Sequence, residues 1–182
     1  MSVDLLSLRD TPFELLAELE RRLQTSRVDL AAGSAQFWTG LGFRLGERWV
    51  VAPREDVREV IVTPPLTRVP GGRPWLLGIA NVRGGLLPVC DLQRLLGEEH
   101  LALARSSRVL VYNNDRIPAG FLVDEVVGYR QFAPADQRME MVGGSGTLKP
   151  FLLGAFVREG QPWYALSLHK LAAGDAFNRA GW

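Results

Sequence analysis

The sequence contains a single cysteine, Cys90, and only two histidines, His100 and His169. One thiol cannot form an internal disulfide, so nothing points to an oxidising compartment. The two histidines stand far apart, without the spacing of the common zinc motifs. Net charge is nearly absent. Lys plus Arg number 21 against 20 acids, a formal balance of +1, so no strong field selects nucleic acid or an anionic membrane. No apolar run approaches the ~20 residues that span a bilayer. The opening MSVDLLSLRD carries acids and no continuous apolar core, and it does not read as a signal peptide. A soluble cytoplasmic protein is the expectation.

Catalytic patterns are missing too. Gly143-Gly144-Ser145-Gly146 lacks the lysine of a phosphate-binding loop and follows no strand–helix pattern. Glu98 and Glu99 are neighbours on a connection, a poor arrangement for a general acid and base. Cys90 has no basic sequence neighbour to activate it and reads as a small buried hydrophobe. These readings predict a protein that is not an enzyme, with no cofactor and no metal.

What is present is a chain of 182 residues, 47% hydrophobic and 23% charged, long enough for one domain or two small ones with a sizeable core. Thr11-Pro12-Phe13-Glu14 reads as a helix start, with Leu15, Leu19 and Leu23 as an apolar stripe ending near Gln24 to Arg27. A small, polar linker follows, so residues 1–36 form an N-terminal extension and 37–182 the main domain. From Phe37 the period changes to two. Leu41, Phe43 and Leu45 alternate with Gly42 and Arg44, Gly46-Glu47 makes a turn, and Trp49 to Ala52 returns. Val57 to Val62 reads as a third strand. Trp75 to Leu77 reads as a brief turn or helical piece. Asp91 caps a short helix that Gly97 ends. Hairpins follow at Arg108 to Asp124 and Leu152 to Ser167, with Val126 to Phe132 as a further strand and a short helical end after Ser167. Ala133 to Pro150 reads as a loop, most flexible at Gly143 to Gly146. About nine to ten short strands with close turns predict an all-β fold. The hairpins before Gly97 and after Ser107 repeat a rough plan, which fits two small barrels sharing a core.

The chain is organised around WLLGIANVRGGLLPVCDLQRL, Trp75 to Leu95. Two apolar runs flank Arg83-Gly84-Gly85, and paired glycines between such runs predict a hairpin turn shaped by Gly84 and Gly85. Pro88 cannot donate to a ladder, so its strand should sit at an edge or a bulge.

Leu77-Gly78-Ile79-Ala80-Asn81-Val82-Arg83-Gly84, followed by Pro88-Val89-Cys90-Asp91-Leu92, resembles the signature of CheW-like chemotaxis coupling proteins, Gly-x-x-Asn-Leu-Arg-Gly before Pro-Val-x-Asp-Leu. Val57-Arg58-Glu59-Val60-Ile61, Val69-Pro70, Gly120-Phe121-Leu122-Val123-Asp124 and Leu153-Gly154-Ala155-Phe156 also look like family segments. The likeness runs from Trp38 to Leu171. Val82 replaces the usual leucine, and Ser167 stands where the closing strand often has aspartate. Thr11 to Leu16, Trp38-x-Gly40-Leu41-Gly42-Phe43-Arg44 and Ala80 to Gly84 look like the branch of the family that serves chemosensory control of type IV pili and twitching. The resemblance implies two five-stranded β-barrels around a shared hydrophobic core. It implies an adaptor between a methyl-accepting chemoreceptor and the regulatory domain of a CheA-type histidine kinase, associated with membrane receptor arrays through those partners. The family's contact positions carry over onto Val57, Glu59, Gly78, Asn81, Arg83 and Gly84.

Each candidate has a plainer reading. Arg83 is either a solvated turn arginine or a guanidinium held rigidly enough to bind a partner's carboxylate or carbonyls. Asn81 either meets a partner or bonds its own backbone and fixes the loop. Val57, Val60 and Ile61 divide between core and groove, because alternation cannot put all of them on one face. Trp75, Phe151 and Trp163 read as core aromatics. A flagellar coupling protein is the alternative within the family. A small β-barrel ligand carrier or enzyme is the alternative from another class, and it requires a deep pocket with converging polar groups and a shifted pKa.

Overall fold

Ten strands carry the described part of the chain, residues 37–99, 103–174 and Phe177 of a computed structural model. The chain divides between Phe37 and Trp38; the fold below is that of the second unit, and the N-terminal helix read from the sequence lies outside the described residues. The elements are β1 (Trp38–Leu45), β2 (Arg48–Pro53), β3 (Val57–Val62), β4 (Leu76–Val82), β5 (Gly85–Asp91), α1 (Leu92–Leu95), β6 (Arg108–Tyr112), β7 (Gly120–Val123), β8 (Glu125–Phe132), β9 (Leu152–Arg158), β10 (Gln161–Leu166) and α2 (Leu168–Ala173). They form two five-stranded sheets, β8-β1-β2-β10-β9 and β3-β6-β7-β5-β4. The β10–β2 and β5–β7 pairs are parallel and the others antiparallel.

Each sheet is rolled until its edges meet. In the first, β8 and β9 are opposite edges, yet Phe132 on β8 stacks on Phe156 of β9 at 4.6 Å, and Arg158 donates to the Gln131 carbonyl at 2.6 Å. In the second, Ile61 from edge strand β3 and Val82 from edge strand β4 pack on one cluster. The strands therefore have two apolar destinations. Odd residues of β6, Val109 and Val111, fill the second barrel with Ala80, Leu87, Val89 and Leu122. Leu110 and Tyr112 face the other way, into a core shared with Leu41, Phe43 and Leu45 of β1 and with Phe121 and Val123 of β7. Phe132, Phe156 and Trp163 fill the first barrel. Leu92 and Leu95 of α1, and Leu168 and Leu171 of α2, complete the shared core. Burial on both faces explains why β5 and β7 read as continuous apolar runs rather than alternating ones.

Two local expectations are corrected and a third is narrowed. Ala133 to Pro150 is not a free loop. It contains three 3₁₀ turns, Pro134–Asp136, Met139–Gly144 and Gly146–Phe151, anchored by Leu148, whose side chain is fully buried in the shared core. The Ser145 hydroxyl donates to the Val142 carbonyl at 2.6 Å, which ties down the glycine quartet. The piece beginning at Trp75 is mostly strand, since β4 starts at Leu76. Pro88 is not on an edge strand, because β5 lies between β7 and β4, but the β4–β5 ladder has an irregularity beside it, a register shift between Leu76 and Gly78 opposite Cys90 and Val89. The parallel ladder to β7 begins at Val89, so Pro88 sits one residue before a donor toward β7 is needed. Ser167, the departure from the family pattern, caps α2 through its hydroxyl, which accepts the Lys170 N–H at 3.2 Å.

Candidate docking face

The turn between β4 and β5 is a two-residue loop, because Val82 pairs with Gly85. Arg83 (φ 52°) and Gly84 (φ 83°) both adopt left-handed backbone, as a type I′ hairpin requires. The turn is thus shaped by Arg83 and Gly84, and Gly85 is the first residue of β5 rather than a turn residue. A positive φ is uncommon for arginine and carries a cost. Asn81 offsets it: its Oδ1 accepts the Gly84 N–H at 3.0 Å. Of the two readings of Asn81, the structure shows the backbone one, and the bond fixes the arginine's position.

Arg83 Nη2 donates to Glu59 Oε2 at 2.7 Å. The Arg83 side chain is 80% exposed and that of Glu59 23%. Glu59 lies on β3, at the far edge of the ladder from β4, so the pair also bridges the seam of the second barrel. A pair this exposed contributes only ~0.2–1 kcal/mol to stability. Its larger effect is orientation. Guanidinium carries five N–H donors; one bonds Glu59, and the side chain is largely exposed on a turn that the Asn81 bond closes.

The strand delivering Glu59 has a bulge. Val57 pairs with Tyr112 and Glu59 with Val111, so the register shifts between them. Tyr112 faces the shared core and Val111 the second barrel, and Val57 and Glu59 follow their partners to opposite sides. Val57 is buried in the shared core, Ile61 packs against the second barrel, and Val60 is exposed. Gly78 is buried as well. A Cβ there would lie 2.6 Å from the Thr67 carbonyl oxygen, on backbone at φ +155°. Of the six sequence-derived candidates, Glu59, Asn81, Arg83 and Gly84 come together at the surface, and Val57 and Gly78 lie beneath it.

Sequence reasoning gave no role to two further carboxylates. Buried Asp124, at the end of β7, accepts the Gly46 N–H at 2.6 Å and holds the β1–β2 turn of the first barrel against the second. Asp56 accepts the Leu168 N–H at 2.8 Å across 112 positions of sequence. Burial pushes its carboxyl above the ordinary value, against the lowering effect of its backbone bonds. Burial, with a smaller contribution from the Asp91 charge, pushes the Cys90 thiol up to about 12. A thiol so placed stays protonated and inert.

Two grooves open on the surface. One of 720 Å³ lies over the first barrel between Trp49, Tyr129, Arg130, Arg158 and Trp163. The other, of 560 Å³, is mainly apolar and lies between Ile79, Leu86, Pro88, Ile117 and Phe177. Neither of these two grooves is lined by Asp56 or Cys90.

Two five-stranded sheets, each rolled into a barrel and packed on one shared core, define the fold class. The chain belongs to the CheW-like family, whose domain model matches residues 39–175. Protein PilI of Pseudomonas aeruginosa is 42% identical over 170 residues, which cover 92% of this chain and 94% of that protein. Protein FrzA of Myxococcus xanthus is 31% identical over 110 residues, 60% of this chain and 69% of that protein. The crystal structure of the scaffolding protein TtCheW from Thermoanaerobacter tengcongensis superposes with a TM-score of 0.67 at 22% identity, covering 78% of this chain and 96% of that one. It has the same fold.

Proposed function

We propose that the chain is a non-enzymatic adaptor that couples a methyl-accepting chemoreceptor to the regulatory domain of a CheA-type histidine kinase, in a chemosensory system controlling type IV pili. The observation that carries the pilus assignment is the likeness to PilI, which runs through nearly the whole of both chains. The likeness to the chemotaxis protein CheW of Thermotoga maritima, by comparison, covers 48% of this chain at 31% identity, so the flagellar alternative is the weaker one.

Arg83, Glu59, Asn81 and Gly84 form the contact surface. Val57 and Gly78 act beneath it, by holding β3 and β4 in place. The mechanism is geometric. One face takes the tip of a receptor hairpin, and another pairs barrel to barrel with the kinase domain. Moderate contacts gain strength by multivalency in an array. The adaptor works on the cytoplasmic side and reaches the membrane through its partners; among the described residues no helix is long and apolar enough to cross a bilayer. Residues 1–36 are an extension to the adaptor domain, 37–182. Co-purification with the receptor and kinase of the same system tests this reading. Capture of both supports it, and capture of neither overturns it.

A further inference from the structure

The first crossing from one barrel to the other is short: the 3₁₀ turn Arg54–Asp56, between β2 and β3. Its last residue reaches the far end of the chain. Asp56 Oδ2 accepts the N–H of Leu168 at 2.8 Å and that of His169 at 3.4 Å. These are first-turn amides of α2, which lack partners inside their own helix. Ser167 accepts a third, from Lys170. The end of β6 joins the same point. The Asn113 N–H donates to the Asp56 carbonyl at 2.9 Å, Asn113 Nδ2 to the Glu55 carbonyl at 2.9 Å, and the Tyr112 hydroxyl meets His169 Nδ1 at 2.9 Å. Crossover, β6 and α2 are therefore tied in one knot, and the chain leaves it directly into Val57 and the bulge before Glu59.

We propose that Asp56 is a positioning residue, which locks α2 to the start of β3 and thereby fixes the bulge that aims Glu59 at Arg83. The C-terminal helix and the docking turn then move as one unit. The consequence for docking rests on the reading of Glu59 and Arg83 given above; the mechanical coupling does not. Ser167 caps only the Lys170 amide of α2, so the Leu168 and His169 amides are held from the crossover by Asp56, whose charge burial penalises. A cap supplied from the crossover rather than from α2 itself ties the helix to the start of β3 as well as satisfying its amides.

The test uses the full chain with Asp56→Ala and Asp56→Asn. An asparagine oxygen still accepts the two N–H groups; alanine removes the acceptor. Amide hydrogen exchange is followed at Leu168 and His169, at Val57 to Val60, and at β9 as an internal control. Asp56→Ala should accelerate exchange about tenfold at both α2 and β3 while β9 stays protected. It should weaken capture of a receptor-hairpin fragment about fivefold or more. Asp56→Asn should restore both. Faster exchange at α2 alone, with β3 unchanged, overturns the coupling. If Asp56→Ala does not fold, His169→Pro removes one donated N–H and the Tyr112 contact at a helix turn that tolerates proline. It must accelerate β3 exchange if the coupling exists. If wild-type chain captures no receptor fragment, the docking reading falls, and the exchange measurement still decides the latch.

Discussion

Replacing Gly78 with alanine separates packing from partner contact at a position that the family pattern marks. The added methyl would sit 2.6 Å from the Thr67 oxygen and 3.0 Å from its carbonyl carbon. Those are backbone atoms and cannot swing aside as a side-chain tip can. The same oxygen accepts the Ile79 N–H at 2.9 Å, and Thr67 N–H donates back to Ile79 at 2.9 Å. The methyl therefore presses on the bridge that covers β4. Overpacking costs ~1–3 kcal/mol, and a side chain at this φ adds roughly 1 kcal/mol or more. A total of about 3 kcal/mol lowers the melting temperature of a domain this size by about 6–12 °C. Thermal melts followed by circular dichroism read the loss, and hydrogen exchange at Ile79 localises it. A Gly78→Ala variant that melts with the wild type and keeps Ile79 protected refutes the packing argument. If that variant also lost receptor capture, Gly78 would be a contact residue after all.

Cys90 should resist thiol reagents at pH 8 in the native protein and react only as the chain unfolds, because burial holds its pKa near 12; fast native labelling would contradict that burial. Asp56 has a folded pKa raised above its unfolded value, so its contribution is fully present below the unfolded pKa, near 3.8, and is lost as pH rises through the folded one. Denaturant titrations should show Asp56→Asn gaining on the wild type toward neutral pH and converging with it in acid; the opposite slope would reverse the assignment. Leu148→Ala should cost ~2–5 kcal/mol, read as a lower denaturation midpoint, since that side chain is fully buried among shared-core residues. A change below ~0.5 kcal/mol would restore the flexible-loop reading of that segment.

Strand number and hairpin order were legible in the sequence because turn residues recur at close intervals and apolar residues alternate between them. Barrel membership was not: the repeat before Gly97 and after Ser107 divides the chain inside the second sheet, β3 to β7, whereas the first joins β1 and β2 to β8, β9 and β10. Nor could it be read which apolar face serves which core. Val109 and Leu110 are equally apolar, and only the rolled sheet sends one into a barrel and the other into the shared core. The bulge at Arg58 changes the parity of β3, so Val57 and Glu59 look equivalent by spacing and end on opposite sides. The glycine quartet at 143–146 misled because glycine marks turns as well as freedom, and the anchor, Leu148, is an ordinary leucine. Arg83 and Glu59 were both singled out from the family pattern, but their ion pair depends on closure of the second barrel. Asp56 had no local signal at all, since its partners lie more than a hundred residues away.

In the proposed adaptor, the Arg83 turn is the face a receptor reads. Arg83→Ala and Arg83→Glu test it together: both remove an ion pair worth ~0.2–1 kcal/mol, and only the glutamate sets a second carboxylate beside Glu59, so a loss of binding shared by both variants belongs to the guanidinium. Equilibrium binding of wild type and variants to a receptor-hairpin fragment is the measurement, with thermal melts as the control. Affinity should fall about tenfold or more at nearly unchanged melting temperature, as expected for loss of charge-assisted hydrogen bonds at a contact. Wild-type affinity in either folded variant would contradict it.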